Sequence, residues 1–247
     1  MAATTTSPIH IAQMTTPTDL TQAFDCLIAC FGHQTHDGVF SAMNPTWDTP
    51  TGRTAGAQRL IERWHSTTKD KHGRDNTIFL KAVSSQDSEE RVIGLAIWVQ
   101  ASFVDGHGDA PIEDLSKAMD LETLYPGNEA EQRFLKQCDA ALHKRRIEVT
   151  REKKEASASP PSIFALDICV VHPWFQRRGI AGQLVQWGID EAGRRGGLEC
   201  TTEASVMGRA VYKRLGFNQE GGEIEWTVDE EFRGRSFPSN IFMRTGA

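Results

Sequence analysis

Residues 166–184 read LDICVVHPWFQRRGIAGQL, the pattern of a buried strand that continues through a short loop into a helix. The apolar run from 163 to 171 is nearly continuous, which is typical of a central strand covered on both faces. A loop is predicted over 173–178. A helix is predicted from about 179 to 195, because apolar residues recur there on one helical face.

The start of this helix has the features of a phosphate-binding site. Gly179 and Gly182 have no side chain and Ala181 has only a methyl group, so backbone N–H groups there can approach a ligand closely. The first N–H groups of a helix have no partner within it and lie at its positive end, which favours phosphate. Arg177 and Arg178 add positive charge. The alternative at this point is a tight turn that binds nothing.

Two common phosphate-binding motifs are absent from this loop. A dinucleotide-binding turn needs Gly-x-Gly-x-x-Gly directly after the strand, and a nucleoside triphosphate loop needs Gly-Lys-Ser/Thr. The loop before Gly179 has neither pattern. The loop therefore indicates neither a dinucleotide nor a nucleoside triphosphate.

Two segments of the chain resemble one enzyme family. Residues 171–185, VHPWFQRRGIAGQLV, resemble the acetyl-CoA motif of the GNAT superfamily of N-acetyltransferases, written Gln/Arg-x-x-Gly-x-Gly/Ala. Residues 202–217, TEASVMGRAVYKRLGF, resemble the strand and helix that follow it, with the Tyr-x-x-x-Gly-Phe ending. The sequences of both segments are most similar to those of fungal members. Residues 94–98 resemble the third strand of the family. Two positions depart from the pattern: Ala181 replaces the usual Gly, and Ser205 replaces an Asn that many members carry.

The resemblance implies an α/β fold with a mixed central sheet of about seven strands and helices on both faces. It also implies acetyl-CoA as the cofactor, bound where the fourth and fifth strands separate, at Ile168 to Val171 opposite Cys200 to Glu203. Backbone amides near Val170 and Val171 would polarise the thioester carbonyl. The residues expected to bind the cofactor are Cys169, Val170, Val171, Gln176, Arg177, Arg178, Gly179, Ile180, Ala181, Gly182, Ser205 and Tyr212.

The reaction that the resemblance implies is direct acetyl transfer to a primary amine. Tyr212 lies at the position of the family's catalytic tyrosine and is the candidate general acid for the leaving thiolate. The alternatives are that Tyr212 only hydrogen-bonds the sulfur, or only packs. The base that deprotonates the amine is left open among Asp167, His172, Glu203 and a chain of waters.

The remaining elements follow from periodicity. Strands are predicted at 9–14, 77–83, 91–99, 198–203, about 223–228 and 240–244, and helices at 19–31, 54–65 and 207–215. Residues 32–52 and 84–90 are predicted as loops. The chain is predicted to be one domain, 1–247, with a helical and charged insert at about 102–160 that resembles nothing known.

The insert ends in a run of charge. Residues 144–155 carry nine charged side chains, which favours a solvent-facing helix with pairs such as Lys144–Glu148 and Arg151–Glu155. The alternative is that its basic residues bind nucleic acid.

The charge and composition of the chain further restrict its expected partners and location. A net charge of −6 disfavours nucleic acid as the main partner and favours a cationic substrate, and we expect a small-molecule amine. No apolar run suits a membrane span or a secretory signal, so a cytoplasmic protein is expected. The five cysteines lack the spacing of a disulfide framework or a metal site, and a monomer or homodimer is expected. The alternatives are acetylation of a protein N-terminus or lysine, and a non-catalytic acyl-CoA sensor.

Overall fold

The computed structural model describes residues 9–86 and 89–246, and its centre is one sheet of seven strands. The strands are β1 (Ile9–Gln13), β2 (Thr77–Gln86), β3 (Glu89–Ala101), β4 (Ile163–Val171), β5 (Glu199–Ser205), β6 (Asn218–Glu223) and β7 (Asn240–Arg244). Their order across the sheet is β1-β2-β3-β4-β5-β7-β6. Only the β4–β5 pair is parallel. The predicted mixed sheet of about seven strands is confirmed.

Helices cover both faces of the sheet, as predicted. They are α1 (Pro17–Leu27), α2 (Gly38–Met43), α3 (Pro50–His65), α4 (Leu121–Leu124), α5 (Glu129–Glu155), α6 (Ile180–Arg194) and α7 (Arg209–Arg214). One core lies under α6 and α7, and it contains Trp98 stacked on Phe164 at 5.1 Å between ring centroids. A second core lies under α1 and α3 on the other face. In the described part of the chain, no helix combines the length and apolar character that a membrane crossing requires.

The predicted loop over 32–52 is correct only for residues 35–37 and 44–49, and the rest is helical. The chain continues from α1 as a π-helix, Ile28–Gln34, then forms α2 and enters α3 at Pro50. Two polar residues of this range, Asp37 and Thr49, are helix N-caps. The Asp37 carboxylate accepts the N–H groups of Val39 and Phe40, and the Thr49 hydroxyl accepts that of Gly52.

The predicted strand at 223–228 is also wrong, because the sixth strand is β6 at Asn218–Glu223. β6 is a largely exposed edge strand, so it lacks the alternation by which strands are recognised. Its pairing with β7 shifts register between Glu220 and Glu223, where Gly221 has a φ of 75°. The predicted loop at 84–90 is shorter than expected, since Gln86 already pairs with Glu89.

The insert is helical as predicted, but its charge run is not simply solvent-facing. Arg146 is only 8% exposed, and Val149 packs with Ile163, Ala165 and Phe242. Charged residues of the run pair across the fold as well as along the helix, where Arg145 Nη1 lies 2.6 Å from Glu152 Oε1. Arg145 Nε lies 2.5 Å from Glu220 Oε1, and Lys153 Nζ lies 2.6 Å from Glu199 Oε2.

One close contact in the larger core gives a testable prediction. A Cβ atom at Gly188 of α6 would lie 2.0 Å from Cε2 of Trp98, which is fully buried, whereas a Cβ at Gly193 of the same helix would meet nothing within 4 Å. We expect Gly188→Ala to lower the free energy of unfolding by about 1–3 kcal/mol through overpacking. Gly193→Ala should raise it by up to about 1 kcal/mol through helix propensity. Urea denaturation of both variants checks this, and equal stabilities would contradict the contact.

Candidate functional site

Strands β4 and β5 separate near their middle. Their parallel pairing runs from Ile163–Glu199 to Leu166–Thr202 and is not continued beyond that rung. On its other side, β4 remains paired with β3, but the register shifts so that Asp167 is an extra residue between Leu166 and Ile168. This β-bulge bends the strand and re-aims the side chains that follow. A gap therefore opens between the two strands close to where the sequence predicted it.

The bulge also decides which face each side chain of β4 meets. Cys169 and Val171 belong to the core under α6 and α7, whereas Ile168 and Val170 belong to the core under α1 and α3. The two faces of β4 at the gap thus border two different cores.

The start of α6 has open space around its glycines. Gly179 is the N-cap residue with φ 78°, a conformation that suits glycine, and no side chain caps the helix. A Cβ at Gly179 or Gly182 would have no neighbour within 4 Å. With no capping side chain and no neighbour beside either glycine, the start of the helix fits phosphate oxygens.

The loop before α6 is braced by its own side chains. Gln176 Nε2 donates to the Val171 carbonyl at 2.9 Å and pairs with the side chain of Gln34 on the π-helix. The Arg178 guanidinium lies 5.2 Å from the centre of the Phe175 ring. Gln176, predicted to bind the cofactor, thus has a structural role in shaping the loop.

Tyr212 lies against the gap on the face covered by α6 and α7. It is 7% exposed, and its hydroxyl neighbours the side chains of Cys169 and Thr202. Burial raises the pKa of Tyr212 well above its ordinary value, and the nearby Cys169 thiol adds to this. Burial likewise raises the pKa of Cys169 to about 12. Both groups therefore stay protonated at neutral pH and can act as donors.

A charged cluster lies on the opposite face of the gap. Arg146 of α5 bridges the two separated strands: its Nη1 lies 2.7 Å from Asp167 Oδ1 on β4, and its Nε lies 3.1 Å from Glu203 Oε1 on β5. Arg63 of α3 donates to the other Asp167 oxygen at 2.7 Å. Although burial opposes it, Arg63 and Arg146 lower the pKa of Asp167 far below its usual range. Asp167 is therefore a poor proton acceptor at neutral pH.

His143 joins this cluster from α5 and was missed by the sequence analysis. Its Nδ1 lies 3.0 Å from Asp139 Oδ1, and its Nε2 lies 3.9 Å from Asp167 Oδ1. The available signal was the four-residue spacing of Asp139 and His143, which places both on one side of a helix. Within the described ranges, no group of three or more His, Cys, Asp or Glu residues is arranged to bind a metal ion.

The other predicted site residues lie apart from this cluster. His172 follows the end of β4, where it lines a separate cleft of about 480 Å³ beside α1, and partial burial together with Arg91 lowers its pKa. Ser205 pairs with Asn240 of β7. Asn240 donates to the Glu203 carbonyl at 2.9 Å, and its own side-chain oxygen is buried without a partner among the described residues. Many members of the family that the sequence resembles carry an Asn at the position of Ser205. In this chain a side-chain amide is present instead at Asn240, on the neighbouring strand.

Comparisons with known proteins agree with this architecture. Residues 150–217 match the model of the acetyltransferase (GNAT) family. A mosquito arylalkylamine N-acetyltransferase like 5b is similar in structure, with a TM-score of 0.58 and 13% identity over 96% of this chain and 99% of that one. A Drosophila melanogaster polyamine N-acetyltransferase has a TM-score of 0.57 and 13% identity over 96% and 98%.

A Corynebacterium glutamicum protein described as histone acetyltransferase HPA2 and related acetyltransferase has a TM-score of 0.53 and 16% identity over 97% of both chains. No curated protein sequence matches the chain. At these identities the likeness establishes the fold alone. The chain therefore has the GNAT acyl-CoA N-acyltransferase fold, and the family match covers the segment from the end of α5 to the end of α7 that contains the gap.

Proposed function

We propose that this protein is an N-acetyltransferase that moves the acetyl group of acetyl-CoA directly to a primary amine of a small molecule. The observation that carries the proposal is the gap between β4 and β5 beyond Leu166–Thr202. Tyr212 lies on one face of it and a charged cluster lies on the other. Donor and acceptor can then meet in the gap from opposite faces, as direct transfer requires.

The donor side is built by α6, α7 and the freed edge of β4. The N–H groups at Gly179 and in the first turn of α6 would hold the pyrophosphate of CoA. The thioester supplies an acyl group activated for attack by an amine. Backbone N–H groups of β4 near Val170, freed from pairing with β5, would polarise its carbonyl, and Tyr212 would give a proton to the leaving sulfur.

The acceptor side favours a cation. The charged cluster contains three carboxylates, those of Asp139, Asp167 and Glu203, and two guanidiniums, those of Arg63 and Arg146. The set therefore has an excess of one negative charge when His143 is neutral. An ammonium group is attracted to such a site. Because α5 covers this face of the gap, we infer a small amine rather than an extended peptide.

The proposal is tested by incubating the protein with acetyl-CoA and a panel of arylalkylamines, polyamines, amino acids and lysine peptides. We expect thiol release above the cofactor-only background with at least one small amine. Turnover with peptides alone would show a protein acceptor instead. Binding of CoA by calorimetry without turnover on any acceptor would favour a sensor, and absence of binding would remove the assignment.

A variant at the start of α6 tests the cofactor site separately. Gly182→Leu adds a side chain into open space at the ligand-facing end of the helix, while Gly193→Leu adds the same side chain at its far end. Losing one phosphate contact of about 1.4 kcal/mol corresponds to about a tenfold weaker affinity for CoA, which we expect for Gly182→Leu. Gly193→Leu should bind as the wild type does. Calorimetric titration with CoA measures both, and equal affinities would place the phosphates elsewhere.

A further inference from the structure

We propose that the insert helix α5 supplies the proton acceptor of the reaction: Nε2 of His143 takes a proton from the acceptor ammonium while Asp139 orients the imidazole. This inference rests on the proposed N-acetyltransferase function. It adds a residue from a segment that the family match does not cover.

The orientation of the His143 imidazole follows from its position four residues after Asp139 on α5. Asp139 Oδ1 lies 3.0 Å from Nδ1 of His143, so the carboxylate favours the tautomer that carries its proton on Nδ1. Nε2 then presents a lone pair. It lies 3.9 Å from Asp167 Oδ1, beyond hydrogen-bonding distance, so that carboxylate does not accept a hydrogen bond from it. The His143 side chain is 21% exposed, so part of it can contact a substrate.

His143 lies on the face of the sheet opposite to Tyr212, the proposed general acid, and this position suits a general base. Asp167, whose Oδ1 lies 3.9 Å from Nε2, is the bulge residue at which β4 and β5 separate. Tyr212 lies on the other face of the sheet, in the core under α6 and α7. An amine entering beside His143 therefore approaches the gap from the side away from the leaving sulfur. Neither Asp167 nor Glu203 offers an equivalent free acceptor, since Arg146 bonds to both.

The charges around His143 set the pH at which it is neutral. The charged groups that face it are Asp139 and Arg146 of α5, Asp167 of β4, Glu203 of β5 and, through Asp167, Arg63 of α3. Burial and Arg146 lower the pKa of His143, but Asp139 and Glu203 outweigh them, so its pKa lies above the ordinary value. The free site is thus protonated at low pH, and turnover should increase as pH rises through this pKa.

The steps balance in atoms and charge. His143 Nε2 accepts one proton from R–NH₃⁺, and the nitrogen lone pair forms the N–C bond to the thioester carbonyl carbon. As the C–S bond breaks, its electron pair goes to sulfur, which receives a proton from Tyr212. The second proton lost by the nitrogen as the amide forms restores Tyr212. The proton on His143 passes to solvent, and the products are the amide, CoA thiol and one proton.

The test compares two acceptors that differ in amine basicity. It uses the best alkylamine of the panel and an analogue carrying three β-fluorines, whose amine is already neutral near pH 7. We expect His143→Asn to reduce kcat/KM by about 10²-fold for the alkylamine, the effect of a lost general base, and by only a few-fold for the analogue. Lys144→Gln, an exposed neighbour on α5, is the matched control and should match the wild type with both.

Further readouts separate this inference from the proposed function. Asp139→Asn should shift the acidic limb of the wild-type pH profile of kcat/KM to lower pH, because it removes a charge that raises the pKa of His143. Calorimetry should show CoA affinity unchanged in both variants. An equal loss with both amines, or an unmoved pH limb, would overturn the role of His143 while leaving the acetyltransferase function intact. No turnover by the wild type would instead overturn the function itself.

Discussion

Arg146→Met is expected to lower the free energy of unfolding by about 3–5 kcal/mol, because it leaves two buried carboxylates without their shared partner. Arg146 is 8% exposed and bonds to Asp167 and Glu203, one on each of the separated strands. Methionine keeps most of the volume of the side chain but none of its charge. The Glu203 carboxylate would then be buried without a countercharge, and Asp167 would keep only Arg63, unless water enters the gap.

The measurement is urea denaturation, and the informative control removes the stranded charges. The triple variant Arg146→Met, Asp167→Asn, Glu203→Gln should recover most of the lost stability, since neutral amides need no countercharge. Arg145→Met on the same helix provides a comparison, because its partners Glu152 and Glu220 are more exposed and its loss should cost about 1 kcal/mol or less. If the single Arg146 variant were as destabilised as the triple variant, the loss would come from packing rather than from charge.

Tyr212→Phe is expected to reduce kcat by about 10²-fold, the usual effect of removing a general acid, with CoA affinity little changed. The phenol is buried beside Cys169 and Thr202 at the gap, and its raised pKa keeps the proton in place until the thiolate forms. Steady-state kinetics with the best acceptor, together with calorimetry, measure the two quantities. For the same reason, Tyr212 should add no alkaline limb to the pH profile within the ordinary assay range.

The chain offers a matched control for that variant. Tyr125 is the only other tyrosine, and its hydroxyl donates to the Ala42 carbonyl at 2.7 Å, away from the gap. Tyr125→Phe should therefore lose some stability but no turnover per folded molecule. A Tyr212→Phe enzyme with the wild-type rate would assign Tyr212 to sulfur contact or packing, which are the alternatives that the sequence left open.

The part of the site that the sequence predicted well is continuous along the chain. The segment from β4 through the loop into α6 depends on local signals: an apolar run, glycines at a helix start and helical periodicity. Each of these is a property of neighbouring residues, so it can be recognised without knowing the distant contacts of the segment. The Tyr-x-x-x-Gly-Phe ending of α7 is equally local, and the family match covers the same stretch.

The acceptor side could not be read in the same way. Arg146 stands in a polar run whose local pattern is that of a solvent-exposed helix, and its burial depends on Asp167 and Glu203, which lie 21 and 57 residues further along the chain. Those two acids were noticed as possible bases, but nothing local revealed that one guanidinium bonds to both. His143 was missed for the same reason, since only the packing of α5 across the sheet brings it near the gap.

The extra residue at Asp167 has a consequence for insertions and deletions in this strand. Side chains of a strand alternate between faces, so removing one residue there would exchange the faces of every residue from Ile168 to Val171. Cys169 would then leave the neighbourhood of Tyr212, and Val170 would leave the core under α1. The one extra residue therefore decides which side chains of β4 face the donor side of the gap and which face the acceptor side. A homologue of this chain that lacks it must have an extra residue elsewhere in β4 to keep the same arrangement.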